Sequence, residues 1–487
     1  MAFRGYFRAS KKYCLAVLVV ASLISFIAFT FMTSTRAAVS KDQLTDDHEA
    51  LKKIVFASKK HLPLKDANSV YNVPPKNADS TKDFSSFGKD DQISDKEVQV
   101  AKEEPGLSEE GQVTNFSRKS RPFVDFAVHI FYYPWYKNPQ TDGKYAHWNH
   151  ELIPHWSDKT HTRKRQYQPP ADIGANFYPQ LGPYSSADPQ VIKMHMKQIS
   201  DAGVGVLSVS WYPPQHEKSS ETPVDSLMPS LLDAAADYGL KIAFHIEPYS
   251  DRSGETLKEV LTYIIVKYGN HPAFYRTQHK GKQLPLIYLY DSYQIDSKLW
   301  ADALKADGRF TIRGTEYDAV VIGLLVEHNH MKHLVQSGFD GFYTYFASNG
   351  FSYGCTWHNW PLLAKEAKDH NLIFIPSIGP GYIDTRVRTW NGKNTKLRLH
   401  GKYYTSAFKS ALAVKPPFLS ITSFNEWHEG TQVEAAIPKT GNDGYKYEDY
   451  RPGNPQFYMN LTKQIVHEYY QNRTAVHVIK HNHDDVF

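Results

Sequence analysis

Cysteine is nearly absent from this 487-residue chain: there are two, Cys14 in an N-terminal apolar run and Cys355 far downstream. The globular part therefore has no internal disulfide and no thiolate set for a structural zinc site, and its core must hold it alone. No H-E-x-x-H pattern, P-loop or dinucleotide fingerprint occurs, so the sequence gives no sign of a metal or a bound cofactor. A surplus of positive charge is missing as well. The net charge is +5, but Arg4, Arg8, Lys11, Lys12 and Arg36 supply five positive charges in a stretch without an acid. The remainder is balanced, which leaves no basic face for nucleic acid.

Residues 37–120 have no tryptophan and one tyrosine, Tyr71, among many Lys, Asp, Ser and Glu. Such a segment buries too little to offset its ordering entropy and reads as a mostly disordered stem, with a short helix at Leu44–Leu62. Before it, Tyr13–Met32 carries no charge over twenty residues. As a helix rising about 1.5 Å per residue it spans roughly 30 Å, one hydrocarbon core. The basic residues ahead of it predict a cytoplasmic tail and a single-pass type II membrane anchor, with a cleaved signal peptide as the alternative. The expected organisation is a tail at 1–12, an anchor at 13–33, a lumenal stem at 34–120, a catalytic domain at 121–475 and a C-terminal tail at 476–487. Sequons at Asn115, Asn460 and Asn472 fit a lumenal location.

From Phe123 onward the pattern becomes strand, loop and helix in repetition. Apolar runs occur at Phe123–Tyr133, Val204–Trp211, Leu240–Ile246, Leu284–Tyr290, Ala319–Val326, Gly341–Phe346, Leu372–Ser377 and Phe418–Phe424. Helix-length stretches such as Pro189–Ala202 and Glu255–Tyr268 separate them. Near-continuous apolar strands alternating with helices predict a parallel sheet covered by helices. Eight units predict an α/β fold of the (β/α)8 TIM-barrel class with long loops; a doubly wound open sheet is the alternative.

In such barrels the chemistry sits where the strands end. Here the ends carry Tyr132-Tyr133, Trp211-Tyr212, His245-Ile-Glu247, Tyr290-Asp291, Glu327-His328, Tyr343-Thr-Tyr345 and, after the seventh strand, Asp384 to Arg388. The eighth ends in Asn425-Glu426-Trp427-His428-Glu429. Flat aromatic faces beside carboxylates suit sugar rings, which present C–H faces and hydroxyls. Paired carboxylates are what glycoside hydrolysis needs, one to protonate the leaving oxygen and one to act as nucleophile or base. Glu426 and Glu429 are three residues apart. That places them about 5–6 Å apart on a helical turn, or nearly 10 Å apart on an extended loop at about 3.3 Å per residue. The spacing alone does not choose between inversion and retention. His245 and Glu247 point the same way on a strand and are read as ordering sugar hydroxyls rather than as metal ligands.

The segments H-W-N-H (147–150), S-W-Y-P-P, F-H-I-E-P-Y, Y-G-N-H-P-A-F-Y (268–275), S-G-F-D-G-F-Y-T-Y-F, F-I-P-S-I-G-P-G-Y-I-D-T and S-F-N-E-W-H-E-G-T-Q, in this order over about residues 121–460, resemble glycoside hydrolase family 99. The resemblance implies a barrel that cleaves α-1,2-mannosyl linkages internally. It further implies release of Glc1–3Man from glucosylated high-mannose N-glycans, in the Golgi, by a monomeric, membrane-anchored catalytic domain. It implies retention through the substrate's own 2-hydroxyl, with Glu429 as general acid and base and Glu426 as the base for that hydroxyl. Tyr212 would lie under the non-reducing sugar, and His245, Glu247, Tyr290, Tyr345 and Arg388 would contact substrate; Tyr133, Trp211, Asn425 and Trp427 complete the expected binding set. No cofactor or metal is implied. Two other classes remain open: a lumenal lectin-like barrel that binds glycans without cleaving them, and a Golgi glycosyltransferase. The second would want an acidic D-x-D after a strand, and the Asp-Asp pairs (Asp46-Asp47, Asp90-Asp91, Asp484-Asp485) all fall outside the barrel.

Overall fold

The computed structural model describes residues 122–155, 167–214 and 223–484. The expected anchor, the stem with its Leu44–Leu62 helix, and the Asn115 sequon lie outside the described residues. Among the described residues no helix is long and apolar enough to cross a membrane.

Ten strands form one sheet. In chain order they are β1 (Asp125–Tyr132), β2 (Val204–Trp211), β3 (Lys241–Ile246), β4 (Arg276–His279), β5 (Lys282–Leu289), β6 (Val320–Leu324), β7 (Gly341–Tyr343), β8 (Ile373–Ile375), β9 (Ser377–Ile378) and β10 (Leu419–Ile421). Nine of them follow the path β8-β7-β6-β5-β3-β2-β1-β10-β9, and every pairing along it is parallel. The two ends of the path are consecutive in the chain. β8 pairs with β7 and β9 with β10, and only Pro376 separates them. They are one stave, so the sheet curls into a barrel of eight staves and not into the open, doubly wound alternative.

Pro376 has no N–H to give to a ladder, which interrupts the seventh stave. Side chains carry the seam instead. Ser377 N donates to Thr344 Oγ1 at 3.0 Å, and Ser377 Oγ accepts from Tyr345 N at 2.8 Å. The Pro376 carbonyl still accepts from Ser420 N at 3.1 Å.

β2 is buried along its whole length, as a central parallel strand should be when helices cover the outside and side chains fill the inside. Its residues alternate between the two. Ser210 points inward, where its hydroxyl donates to Glu247 at 2.7 Å. Trp211 points outward and packs on Phe244 and Tyr263. The inside is aromatic: Phe131 touches the rings of His245, Tyr288, Tyr343 and Tyr345.

The helices follow the expected spans closely. Pro189–Asp201 starts on Asp188, which accepts from Gln190 N, and has Pro at its first turn, a pairing suited to a helix start. It buries Val191, Ile192, His195, Met196 and Ile199 on one face, the i, i+3, i+4 stripe of a helix on a core. Gly254–Tyr268 opens with a capping box between Ser253 and Thr256.

Two features differ from expectation. β4 pairs antiparallel with the start of β5 through a turn at Lys280-Gly281, both at positive φ, the conformation of a tight primed hairpin turn. Its residues, Arg-Thr-Gln-His, are polar, so no apolar run marked it. The last helix, Phe457–Asp484, runs on across residue 475, where the end of the catalytic domain was expected. Asn460 and Asn472 are exposed on this helix.

Candidate active site

The site is built on the turn that follows β10. Phe424 N still bonds to the Phe131 carbonyl of the neighbouring stave. Asn425 then continues the pairing with its side chain: it accepts from Tyr133 N at 2.8 Å and donates to Tyr133 O at 3.0 Å. Next the chain folds into a single 3₁₀ turn, Trp427–Glu429, with Glu426 at its N-cap. The Glu426 carboxylate accepts from His428 N at 3.1 Å, and Glu426 N donates to Ser423 Oγ at 2.8 Å. Gly430 closes the turn at φ 59°, and a Cβ there would come within 2.6 Å of Ile383. Both Glu426 and Glu429 line the one cleft in front of this turn, and the charge of Glu429 acts on the Glu426 carboxyl.

The turn is held from behind. Trp427 donates its indole N–H to Glu434 at 3.0 Å. Glu434 also accepts from Tyr184 at 2.8 Å and lies 3.1 Å from His195 Nε2, and His195 Nδ1 in turn meets the Tyr132 hydroxyl. Arg398 donates to the carbonyls of Gly430 and Gln432, with its guanidinium over the rings of Phe177, Tyr450 and Tyr458.

In front of the turn lies a cleft at the C-terminal ends of the staves. It is lined by Tyr133, Trp135, Tyr212, His245, Glu247, Tyr290, Asp291, Tyr345, Arg388, Glu426, His428 and Glu429, with His150, Ile153, Pro248 and Val387. Tyr133 and Tyr345 join hydroxyl to hydroxyl across it. His245 Nε2 meets the Tyr343 hydroxyl at 2.7 Å, and its Nδ1 lies 3.4 Å from Glu247. Arg388 Nη1 stands 3.1 Å from Asp384 and 3.6 Å from Glu429.

Burial dominates the electrostatics. It pushes the Glu426 carboxyl well above the usual carboxylate range; Glu429 adds to the rise, and Arg388 opposes it. Burial likewise raises Asp291 to about 7, against hydrogen bonding from Tyr293 and the charge of Arg252, with Glu247 adding to the rise. Carboxyls with displaced pKa values in an aromatic cleft suit general acid and base chemistry. Among the described residues no group of three or more His, Cys, Asp or Glu is arranged to hold a metal ion.

Nine of the twelve expected site residues line this cleft: Glu426, Glu429, Tyr133, Tyr212, His245, Glu247, Tyr290, Tyr345 and Arg388. Three do not. Trp211 is fully buried outside the barrel wall, its indole donating to Asp225 at 3.0 Å. Asn425 and Trp427 are fully buried behind the turn, bonded to Tyr133, Tyr184 and Glu434. These three support the site without facing it. Conversely, Trp135, His150, Asp291 and His428 line the cleft without having been assigned to it. Three of these stood inside quoted motifs; which side of the backbone each occupies depends on contacts hundreds of residues away.

A family model, Glycosyl hydrolase family 99, matches residues 123–471. The chain is 52% identical over 355 residues to the glycoprotein endo-alpha-1,2-mannosidase of Xenopus laevis, covering 72% of this chain and 79% of that protein. It is 49% identical over 340 residues to a human glycoprotein endo-alpha-1,2-mannosidase-like protein, covering 69% and 74%. Among solved structures, the GH99 endo-alpha-mannosidase of Bacteroides thetaiotaomicron is 43% identical with a TM-score of 0.66, over 72% of this chain and 99% of that one.

Proposed function

This chain belongs to glycosyl hydrolase family 99 and is a glycoside hydrolase of the endo-α-1,2-mannosidase type, and from that premise we propose that it releases Glc1–3Man from glucosylated high-mannose N-glycans in the Golgi lumen. The uncharged Tyr13–Met32 run and the basic residues before it support a type II membrane anchor ahead of a lumenal domain. The exposed sequon residues Asn460 and Asn472 are compatible with that compartment.

The reading rests on one observation: the segment after the last strand places two buried carboxylates, Glu426 and Glu429, in one cleft walled by Tyr133, Tyr212, Tyr290 and Tyr345. In the proposed reaction Glu429 gives its proton to the glycosidic oxygen as the bond from C1 to that oxygen breaks. Glu426 takes the proton of the 2-hydroxyl, whose oxygen closes on C1 to form a 1,2-anhydro sugar. Water then opens this ring at C1. Glu429 takes a proton from the water, and Glu426 returns one to O2. Two displacements at C1 retain its configuration. The raised affinity of Glu426 for a proton suits a group that must take one from an alcohol.

The test is to incubate the purified protein with a glucosylated high-mannose glycan. Release of a Glc-Man disaccharide, first seen as the α-anomer by NMR, is the expected result. A glycan that stays intact but bound would replace this reading by the lectin-like one. A β-anomer would replace retention by inversion. Efficient turnover of a substrate lacking the 2-hydroxyl would rule out its participation.

A further inference from the structure

His428 sits between the two carboxylates in sequence, and its imidazole has no place in the scheme above. The ring lines the cleft and is only 7% exposed. Nδ1 lies 2.8 Å from the Gly174 carbonyl. A carbonyl only accepts, so Nδ1 carries the proton and Nε2 is left as a lone-pair acceptor. Nε2 is buried and has no hydrogen-bond partner in the protein. The neighbouring side chains offer no replacement: the rings of Trp135, His147 and His150 pack about it at 6.5, 5.9 and 4.8 Å between centroids. A buried acceptor left unpaired is costly, and a cleft wall is where a ligand can relieve that cost.

The position of the ring says which part of a ligand this is. His428 precedes Glu429 and shares its side of the cleft with His150, Ile153, Val387 and Arg388. The loops are tied there by Ile153 N to the Val387 carbonyl at 2.7 Å and by the approach of Arg388 to Glu429. If Glu429 protonates the departing oxygen, this wall faces the departing sugar.

We propose that His428 is a specificity-determining residue whose Nε2 accepts a hydrogen bond from one hydroxyl of the sugar on the leaving-group side of the scissile bond. Burial and the flanking His150 and His147 hold the imidazole well below its usual pKa, so the acceptor stays unprotonated through the mildly acidic range. The anchored tautomer makes the site selective for a donor: a hydroxyl fits, and an ether or fluorine at that position meets lone pair with lone pair. The proposal rests on the assignment of Glu429 as the acid.

The test uses His428→Asn. An Asn amide can keep the bond to Gly174 through its NH2 group, and it lacks the atom at the Nε2 position. Wild type and variant are compared on α-1,2-linked substrates whose leaving mannose is intact or lacks one hydroxyl at a time, and on the corresponding donor fluoride. The expected result is one deoxy position that lowers wild-type kcat/KM about ten-fold or more and lowers the variant's no further. His428→Gln, which places an amide oxygen near the Nε2 position, should recover part of the discrimination and serves should the Asn variant not fold. If every deoxy substrate costs wild type and the folded variant the same factor, the proposal is wrong. Wild-type turnover of the intact substrate and the fluoride tests the enzymatic reading separately. An equal loss for Glu429→Gln on glycan and fluoride would remove the acid assignment and, with it, the placement of this wall.

Discussion

Trp427 donates its indole N–H to Glu434 across 3.0 Å, a bond made entirely behind the turn that carries Glu429. Glu434 is 1% exposed and is met from three elements, by Trp427, Tyr184 and His195. A buried acid with such partners stabilises only while all of them are present. Glu434→Ala removes the acceptor of Tyr184 and of His195, while Trp427 keeps the Tyr184 hydroxyl at 3.3 Å. With about 1–3 kcal/mol for each of the two buried polar groups left unpaired, the variant should lose at least about 2 kcal/mol in denaturant unfolding and should turn over slowly at temperatures where it remains folded. An unchanged unfolding midpoint would show that the clamp carries no stability.

The two carboxylates of the turn should fail differently from their supports. Glu429→Gln and Glu426→Gln remove proton transfer while keeping volume and most hydrogen bonding. General acid–base contributions of about 10²–10⁴-fold set the expected fall in kcat, with little change in KM or melting temperature. Steady-state kinetics with a thermal melt on the same samples checks both. A wild-type rate in either variant would remove that residue from the mechanism.

Arg388 should tune the acidic limb of the pH profile. In the proposed reaction Glu426 must be ionised to take a proton, so activity is expected to fall as pH drops through its raised pKa. Arg388 holds that value down against burial and Glu429. Removing the guanidinium in Arg388→Met raises the pKa further and moves the limb of kcat/KM to higher pH; Arg388→Lys, which keeps the charge, should move it less. Asp384 keeps Tyr382 and Asn391 as partners in either variant. A limb that stays in place would separate it from Glu426.

Asp291 offers a stability measurement with the opposite sign from an ordinary salt-bridged acid. Its pKa is raised from 3.8 to about 7, so the folded state holds the proton more tightly than the unfolded chain. Below pH 4 the side chain is neutral in both states and costs nothing. Between 4 and 7 the unfolded chain gains from ionising and the folded one does not, so stability drains away as pH rises. At about 1.4 kcal/mol per pH unit the loss is on the order of 4 kcal/mol. Asp291→Asn should therefore raise the melting temperature at pH 8 and have little effect at pH 4. An equal shift at both would mean that the carboxyl ionises freely in the fold.

Trp211 and Tyr212 divide stability from binding in adjacent residues. Trp211→Phe loses the bond to Asp225 and should lower the melting temperature while leaving KM unchanged. Tyr212→Ala removes a wall of the cleft and should raise KM with a smaller thermal effect. The two variants exchanging these effects would reverse the assignment of faces.

The same pair shows how far the residues could be read in advance. The staves were legible because a parallel barrel buries both faces of each strand, and long apolar runs leave little choice. Facing was harder. Trp211 shares parity with Leu207 and Val209, the outward residues of β2, whereas Ser208 and Ser210 have the inward parity; at the end of a strand that signal competes with the expectation that any aromatic belongs to the site. Asn425 and Trp427 misled for a similar reason. They adjoin Glu426 and Glu429, but the 3₁₀ turn sends them backward to Tyr184 and Glu434, and nothing local in the sequence announces that turn. The β4 hairpin was hidden by its polarity.

The place of β1 in the ring has a consequence for biosynthesis. Its neighbours are β2, the next strand made, and β10, the last, and the turn Trp427–Glu429 comes after β10. A growing chain can pair strands in order as it emerges, but the barrel stays open until residue 421 has cleared the ribosome, and Glu426 and Glu429 emerge after that. Chains truncated before β10 lack both carboxylates and have two unsealed strand edges, so quality control would meet them as folding intermediates.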